Sequence, residues 1–191
     1  NFSMKPITIF FFGSFQHYST LILEALYQNP LIKILGVITS SPRPAGRHLT
    51  ITKTHTHVWA ENHALPVFTP EVLTENWKLK IGNLLGRPNF FVVAGYRNLL
   101  PQGWLEFPTV APLNFHPSLL PNYPGPAQVE WTMLNGEKTT GITLIKMSEE
   151  YDQGPIIAQQ KLSIKTTDTR DTLYQKLYEL GARVIVQILN S

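Results

Sequence analysis

The sequence predicts an α/β fold: an open, mostly parallel twisted sheet with helices on both faces and a late antiparallel strand pair. Two observations predict it. Over the first 135 residues, short β-rich apolar runs alternate with stretches of helical spacing, the order that parallel strands need for their crossovers. After that, two strand-like runs follow one another with only a turn-rich segment between them, as in an antiparallel pair.

"PITIFFF" (6–12) is short, apolar and closed by Gly13, and reads as a buried strand. "YSTLILEALYQ" (18–28) carries apolar residues at helical spacing and stops before Asn29-Pro30. "LIKILGVIT" (31–39) is a second strand, and "SSPRPAGR" (40–47) reads as a loop. "KTHTHVWAENHA" (53–64) is a helix, and "TPEVL" (69–73) starts another, with Thr69 as N-cap and Pro70 at the first helical position. "NFFVVAG" (89–95) and "TVAPLNF" (109–115) are the third and fourth strands. Pro126 opens a helix through Leu134, and "NGEKTTG" (135–141) turns the chain. "ITLIKM" (142–147) and "PIIAQQKLSI" (155–164) form the late pair, and Asp168 or Thr169 caps an amphipathic helix over 170–189.

The 191 residues suit one domain, expected over 4–191, with residues 1–3 set aside as a cloning scar. Apolar residues make up 43% and charged residues 15%, a globular balance. The absence of cysteine excludes disulfides, thiolate metal sites and a cysteine nucleophile, and is compatible with the expected cytoplasmic location. A net charge of +3 does not by itself imply nucleic acid. No apolar run approaches the length of a membrane span. "FFGSFQHYS" lacks the second and third glycines of a dinucleotide loop, and Ser118 lacks the context of a hydrolase nucleophile. Of His48, His55, His57 and His63, the helical pair His55 and His57 stands two residues apart and would not share a face, so no metal is expected.

The informative stretch is "PLNFHPSLLPNYPGPAQVEW" (112–131). Asn114 and His116 alternate on one face of a strand, about 7 Å apart, at its C-terminal end, where open α/β sheets place ligands. Pro117 ends the ladder there. "SEEYDQGP" (148–155) supplies a second candidate, because Asp152 lies in a tight turn from which a carboxylate could reach back to His116. A lone strand-end histidine is as readily a structural residue, and the residue types alone leave that alternative open.

"LNFHPSLLPNYPGPA" resembles the Asn-x-His-x-Ser-Leu-Leu-Pro signature of the formyltransferases that use 10-formyltetrahydrofolate, and "GITLIKMSEEYDQGPIIAQ" is similar to their second motif. "FFGSF", "SPRPAGR" and "FVVAGYRNLLP" fall in the same order as segments of the catalytic domain of the members acting on methionyl-tRNA. The resemblance runs from about residue 7 to residue 189. It implies a Rossmann-like formyltransferase domain with Asn114, His116 and Asp152 as catalytic residues. It further implies folate contacts at Ser118, Leu119, Leu120 and Pro121, and the segment Ala94, Gly95 and Tyr96 is expected in the same pocket. Gly13 and Ser14 would border the acceptor, and Arg43 and Arg47, with Lys53, would contact it. The implied donor is 10-formyltetrahydrofolate, with no metal, and the implied acceptor is the α-amine of charged initiator tRNA, a role in protein biosynthesis.

Three departures keep other acceptors open. Pro117 stands where the tRNA-acting members have glycine. The loop Asn122-Tyr123-Pro124-Gly125 carries no charge. The chain is read as lacking their basic C-terminal barrel domain. The alternatives are a sugar-nucleotide amine, glycinamide ribonucleotide, water in a hydrolase, or an inactive folate-binding module.

Overall fold

The computed structural model describes residues 5–191; the expected domain start at residue 4 and the scar at 1–3 lie outside the described residues. Seven strands form one sheet: β1 (Ile7–Phe12), β2 (Ile32–Ile38), β5 (Val67–Phe68), β6 (Phe90–Ala94), β7 (Ala111–His116), β8 (Thr139–Lys146) and β9 (Ile156–Ser163). Their spatial order is β5-β2-β1-β6-β7-β8-β9. The first four pairings are parallel, and β8 and β9 extend the sheet antiparallel to β7.

Both faces of the parallel part are covered, which is why its strands read as unbroken apolar runs. On one face, Ile9, Phe11, Val92, Ala94, Leu113 and Phe115 pack with α1 (Tyr18–Tyr27) and α6 (Arg170–Leu189). On the other face, Phe10, Phe12, Phe91 and Val93 pack against Ile81 of α3 (Glu75–Leu85) and Trp104 of α4 (Gln102–Leu105). Helices α2 (His55–Asn62) and α5 (Gln128–Leu134) add Ala60 and Val129 to the first cluster. The α6 cap falls on Thr169, whose hydroxyl accepts from the Thr172 amide.

Four local expectations are corrected. The segment 40–47 is not wholly loop: β3 (Arg43–Ala45) pairs with β4 (Thr50–Thr52) in a separate hairpin, turned by Gly46 and Leu49 at φ +71 and +50. No helix starts at 69–73. Ser41 Oγ donates to the Thr69 carbonyl at 2.9 Å and Asn98 Nδ2 to that of Glu71 at 3.1 Å, so this stretch is fastened as an extended link. Thr74 caps α3 instead, accepting from the Trp77 amide. Pro126 does not open α5: Ala127 takes φ +63 and the helix begins at Gln128. The turn at 135–141 is shorter than expected, because β8 already pairs with β9 from Thr139. The segments β5 and α4 were not anticipated, being too short to show a period.

Candidate active site

The chain moves outward from β1 to β2 and β5, then returns to β6 and β7 on the other side of β1. The connections leaving β1 and β6 therefore lead to helices on opposite faces, and a crevice opens at the C-terminal ends of the strands. The cleft has a volume of about 890 Å³. Ser14, Gly95, Tyr96, Asn114 and His116 line it from the strand ends, with Met147 and Asp152 from the β8–β9 connection. Gly95 sits at φ +71, and a Cβ there would come within 2.5 Å of the Phe15 side chain, so only glycine lets the two loops close together. The Ser14 amide donates to the Gly95 carbonyl at 3.0 Å across that junction.

Asn114 and His116 share the sheet face opposite Leu113 and Phe115, and their side chains converge on one carboxylate oxygen. Asn114 Nδ2 donates to Asp152 Oδ1 at 3.4 Å. His116 Nδ1 lies 3.4 Å from the same oxygen. Asp152 Oδ2 accepts the Gly125 amide at 2.8 Å, which fixes the carboxylate from behind. The His116 and Asp152 side chains are only 4% and 7% exposed, so this polar group is largely withdrawn from water. His116 Nε2 lies 2.9 Å from the Tyr123 carbonyl. A carbonyl can only accept, so this contact is a hydrogen bond when Nε2 carries a proton, and Nδ1 is the nitrogen turned towards Asp152. In the neutral ring one of the two contacts is a hydrogen bond; the doubly protonated ring donates to both.

Residues 5–189 match the formyl transferase family. The chain belongs to that family. It is 39% identical over 186 residues to a protein named methionyl-tRNA formyltransferase from Ehrlichia ruminantium, covering 96% of this chain and 60% of that one. It is 38% identical over 159 residues to a protein of the same name from Wolbachia pipientis, covering 83% of this chain and 52% of that one. The chain thus spans about 60% of the length of the first of these relatives. The structure of phosphoribosylglycinamide formyltransferase from Bacillus halodurans superposes with a TM-score of 0.74 at 26% identity, covering 95% of this chain and 93% of that one. Its counterpart from Brucella melitensis gives 0.77 at 25%, with 97% and 94% covered.

Of the site residues expected for a formyl transferase family member, the structure brings Asn114, His116, Asp152, Gly95, Tyr96, Ser14 and Arg43 to the cleft wall. It does not bring Ser118, Leu119, Leu120 or Pro121 there. Ser118 is fully buried, its hydroxyl donating to the Asn122 carbonyl at 2.7 Å and its carbonyl accepting from Thr143 Oγ1 at 2.7 Å. The Leu120 amide donates to Thr143 Oγ1 at 3.1 Å, and its carbonyl accepts from Gln159 at 2.8 Å. Leu119 faces Gly141 and a hollow of about 40 Å³ on the far side. The segment is pinned to β8 and β9 behind the wall, with Pro121 exposed. Ala94 is buried in the core, its carbonyl accepting from Ser19 Oγ at 2.8 Å. Gly13 supports Ser14 from below, its amide donating to the Ile38 carbonyl at 3.1 Å. Arg47 sits at the hairpin tip away from the cleft, whereas Lys53 lines it and pairs with Glu61 at 2.7 Å.

Sequence reasoning missed the Tyr123 carbonyl and the Gly125 amide, both main-chain groups. It also missed the aromatic floor of Phe15, Tyr174 and Tyr178, whose ring centroids lie 4.9–6.5 Å apart. Tyr96 packs edge-on against Phe12 at 5.5 Å. Burial pushes its phenol up to about 12, against a smaller downward pull from the Asn98 side chain, whose amide is committed to the Glu71 carbonyl and leaves the buried phenol oxygen without a well-formed hydrogen bond among the described residues. Among those residues no group of three histidine, aspartate, glutamate or cysteine side chains is placed to hold a metal ion. No helix among them is long and apolar enough to cross a membrane.

Proposed function

We propose that this chain transfers the formyl group of 10-formyltetrahydrofolate to the α-amine of methionyl-tRNA, in the cytoplasm, as a step of protein biosynthesis. The observation that carries this reading is the convergence of Asn114 Nδ2 and His116 Nδ1 on Asp152 Oδ1 at the wall of a large cleft. The relatives named methionyl-tRNA formyltransferase, at 36–39% identity, support the acceptor.

The reading follows from what the side chains can do. The neutral amine attacks the formyl carbon, a new C–N bond forms, and the carbonyl oxygen becomes an oxyanion. The Asn114 amide and a protonated His116 Nδ1 are donors suited to that charge, in a site where little water competes. The amine nitrogen then loses a proton, N10 of the folate gains one, and the old C–N bond breaks to give the formylated amine and tetrahydrofolate. A histidine is suited to moving both protons near neutral pH. Asp152 holds the ring and stabilises it when both nitrogens are protonated. Val93, Ile145 and Met147 give the cleft apolar walls that suit a flat heteroaromatic, with the Tyr96 hydroxyl as a polar contact. On the other side, Arg43 and Lys53 line the cleft mouth as cations suited to phosphate.

One observation favours a second acceptor. Solved structures similar to this chain at 25–26% identity are phosphoribosylglycinamide formyltransferases, which keeps glycinamide ribonucleotide as the runner-up, ahead of a sugar-nucleotide amine. The test is mass spectrometry of charged initiator tRNA, glycinamide ribonucleotide and a 4-amino sugar nucleotide, each incubated with the protein and 10-formyltetrahydrofolate, with free formate assayed alongside. Formylated methionyl-tRNA is expected. Formylation of one of the small amines with methionyl-tRNA untouched would replace the acceptor, and formate alone would make the protein a hydrolase.

A further inference from the structure

The loop 122–127 holds both halves of the histidine–carboxylate pair. The Tyr123 carbonyl accepts from His116 Nε2 at 2.9 Å, and two residues later the Gly125 amide donates to Asp152 Oδ2 at 2.8 Å. This loop has an unusual backbone. Tyr123 and Ala127 both adopt left-handed conformations, φ +53 and +63, although neither is glycine. Such a conformation is unfavourable for a residue with a Cβ and persists only where the surroundings impose it. The Tyr123 ring is tied at its far end. Its hydroxyl donates to Glu137 Oε1 at 2.7 Å and accepts from Asn135 Nδ2 at 2.9 Å. Both partners lie between α5 and β8, outside the cleft, in the turn "NGEKTTG". Ser118 Oγ makes a longer second contact to the Tyr123 carbonyl, at 3.3 Å.

We propose that Tyr123, strapped through its hydroxyl to Glu137 and Asn135, is a positioning residue that sets the tautomer of His116. The strap holds the Tyr123 backbone left-handed, so that its carbonyl faces the imidazole. The carbonyl, at 2.9 Å, holds the proton of the neutral ring on Nε2 against the pull of the more distant Asp152 oxygen at 3.4 Å, and this leaves Nδ1 free to take a proton from the substrate. Without the strap the loop relaxes towards ordinary backbone angles, the carbonyl turns away, and the neutral ring is free to carry its proton on Nδ1 instead. A ring protonated there cannot accept a proton from the substrate on that nitrogen. The same relaxation loosens the Gly125 amide from Asp152. The inference deepens the proposed formyl transfer and rests on it for its effect on rate, but not for its effect on the ring.

The test uses Tyr123→Phe, which removes only the hydroxyl, together with Glu137→Ala and Glu137→Gln. Long-range ¹H–¹⁵N correlation spectra of ¹⁵N-histidine-labelled protein, recorded at a pH where His116 is neutral, report the tautomer directly. The parent is expected to show the Nε2–H form alone. Tyr123→Phe and Glu137→Ala are expected to show a mixture of both forms, and Glu137→Gln, which keeps an acceptor oxygen, to return to the parent pattern. In steady-state assays kcat should fall about three- to tenfold in the first two variants, with KM for either substrate within twofold of the parent. A pure Nε2–H spectrum in both Tyr123→Phe and Glu137→Ala would overturn the proposal, as would an unchanged kcat in both. If no variant and no parent protein transferred formyl groups while the tautomer shifted as described, the positioning role would stand and the proposed reaction would fall.

Discussion

The strand-end wall and the β3–β4 rim border the same cleft and are built in opposite ways. On the wall, β7 lies between two paired strands, and Asn114, His116 and Asp152 are each held by named partners. On the rim, all six residues of β3 and β4 are exposed, and the two strands pair only with each other. The rim touches the body at its base, where Thr39 Oγ1 meets Thr54 Oγ1 at 2.7 Å. The difference matches two demands. Groups that stabilise a developing charge must already be in place when it forms, so they belong on rigid elements. A surface that recognises a large charged acceptor gains from adjusting to it, so it belongs on a loop. In the proposed reaction the wall would serve the chemistry and the rim the choice of acceptor.

The largest effect should come from breaking the wall. His116→Ala removes one donor to the proposed oxyanion and Asn114→Ala the other, and each loss costs roughly 10²–10³ in kcat. Both substitutions shorten a strand-end side chain without touching the ladder, so circular dichroism should stay native. Retention of most activity in either variant, with native spectra, would take the chemistry away from this wall.

Breaking the rim should read differently. Arg43 lines the cleft mouth and Arg47 lies at the hairpin tip, and neither forms a salt bridge among the described residues. If they contact phosphates, each contributes a salt-dependent share of affinity, and the slope of log affinity against log salt falls by about one per lost contact. The double variant Arg43→Ala with Arg47→Ala is expected to raise KM for methionyl-tRNA about tenfold or more, while folate affinity by titration calorimetry stays unchanged. A double variant that formylates methionyl-tRNA as well as the parent would remove the rim from acceptor recognition.

The wall was legible in the sequence and the rim was not, for physical reasons. A strand buried on both faces must be apolar at every position, so "ITIFFF" and "FFVVA" announce themselves. Asn114 and His116 stand out because they interrupt such a run with polar side chains two residues apart, on one face. A two-stranded hairpin exposed on both sides has no core to impose alternation, so Arg43–Ala45 and Thr50–Thr52 read as loop. The sequence reading placed a cap at Thr69, whereas the cap of α3 is Thr74, five residues on and of the same capping chemistry. Ser41 and Asn98, tens of residues away in the chain, bond the carbonyls of Thr69 and Glu71, contacts that no local pattern announces. The Tyr123 carbonyl and Gly125 amide were invisible because every residue carries such groups, and only the fold says which are aimed. The Ser-Leu-Leu-Pro segment was legible as important, but its bonds to Thr143 and Gln159 make it the support of the wall and not its surface.

The smallest expected effect tests what keeps the cleft floor rigid. Tyr174 and Tyr178 reach the floor from α6, and α6 is braced to α5 by Glu130. Glu130 Oε1 accepts from Arg170 at 2.6 Å, and Oε2 accepts from the Tyr174 hydroxyl at 2.7 Å. Burial works upward on the Glu130 carboxyl, but the hydrogen bonds from Tyr174 and Arg170 outweigh it and hold the group below its ordinary range. A carboxyl depressed in this way stabilises the folded state fully above its unfolded value of about 4.3, and the contribution is lost as the pH falls through the folded value. With both Glu130 and Arg170 partly exposed, about 0.5–1 kcal/mol is a reasonable size. Glu130→Gln should therefore lower the stability measured by urea unfolding by about that amount at pH 7, and the gap to the parent should narrow as the pH is taken below about 4. A gap that stays constant with pH would mean that the brace works through neutral hydrogen bonds and not through charge. A fall in activity at pH 7 much larger than this stability loss would mean that the floor, and not only the wall, shapes the reaction.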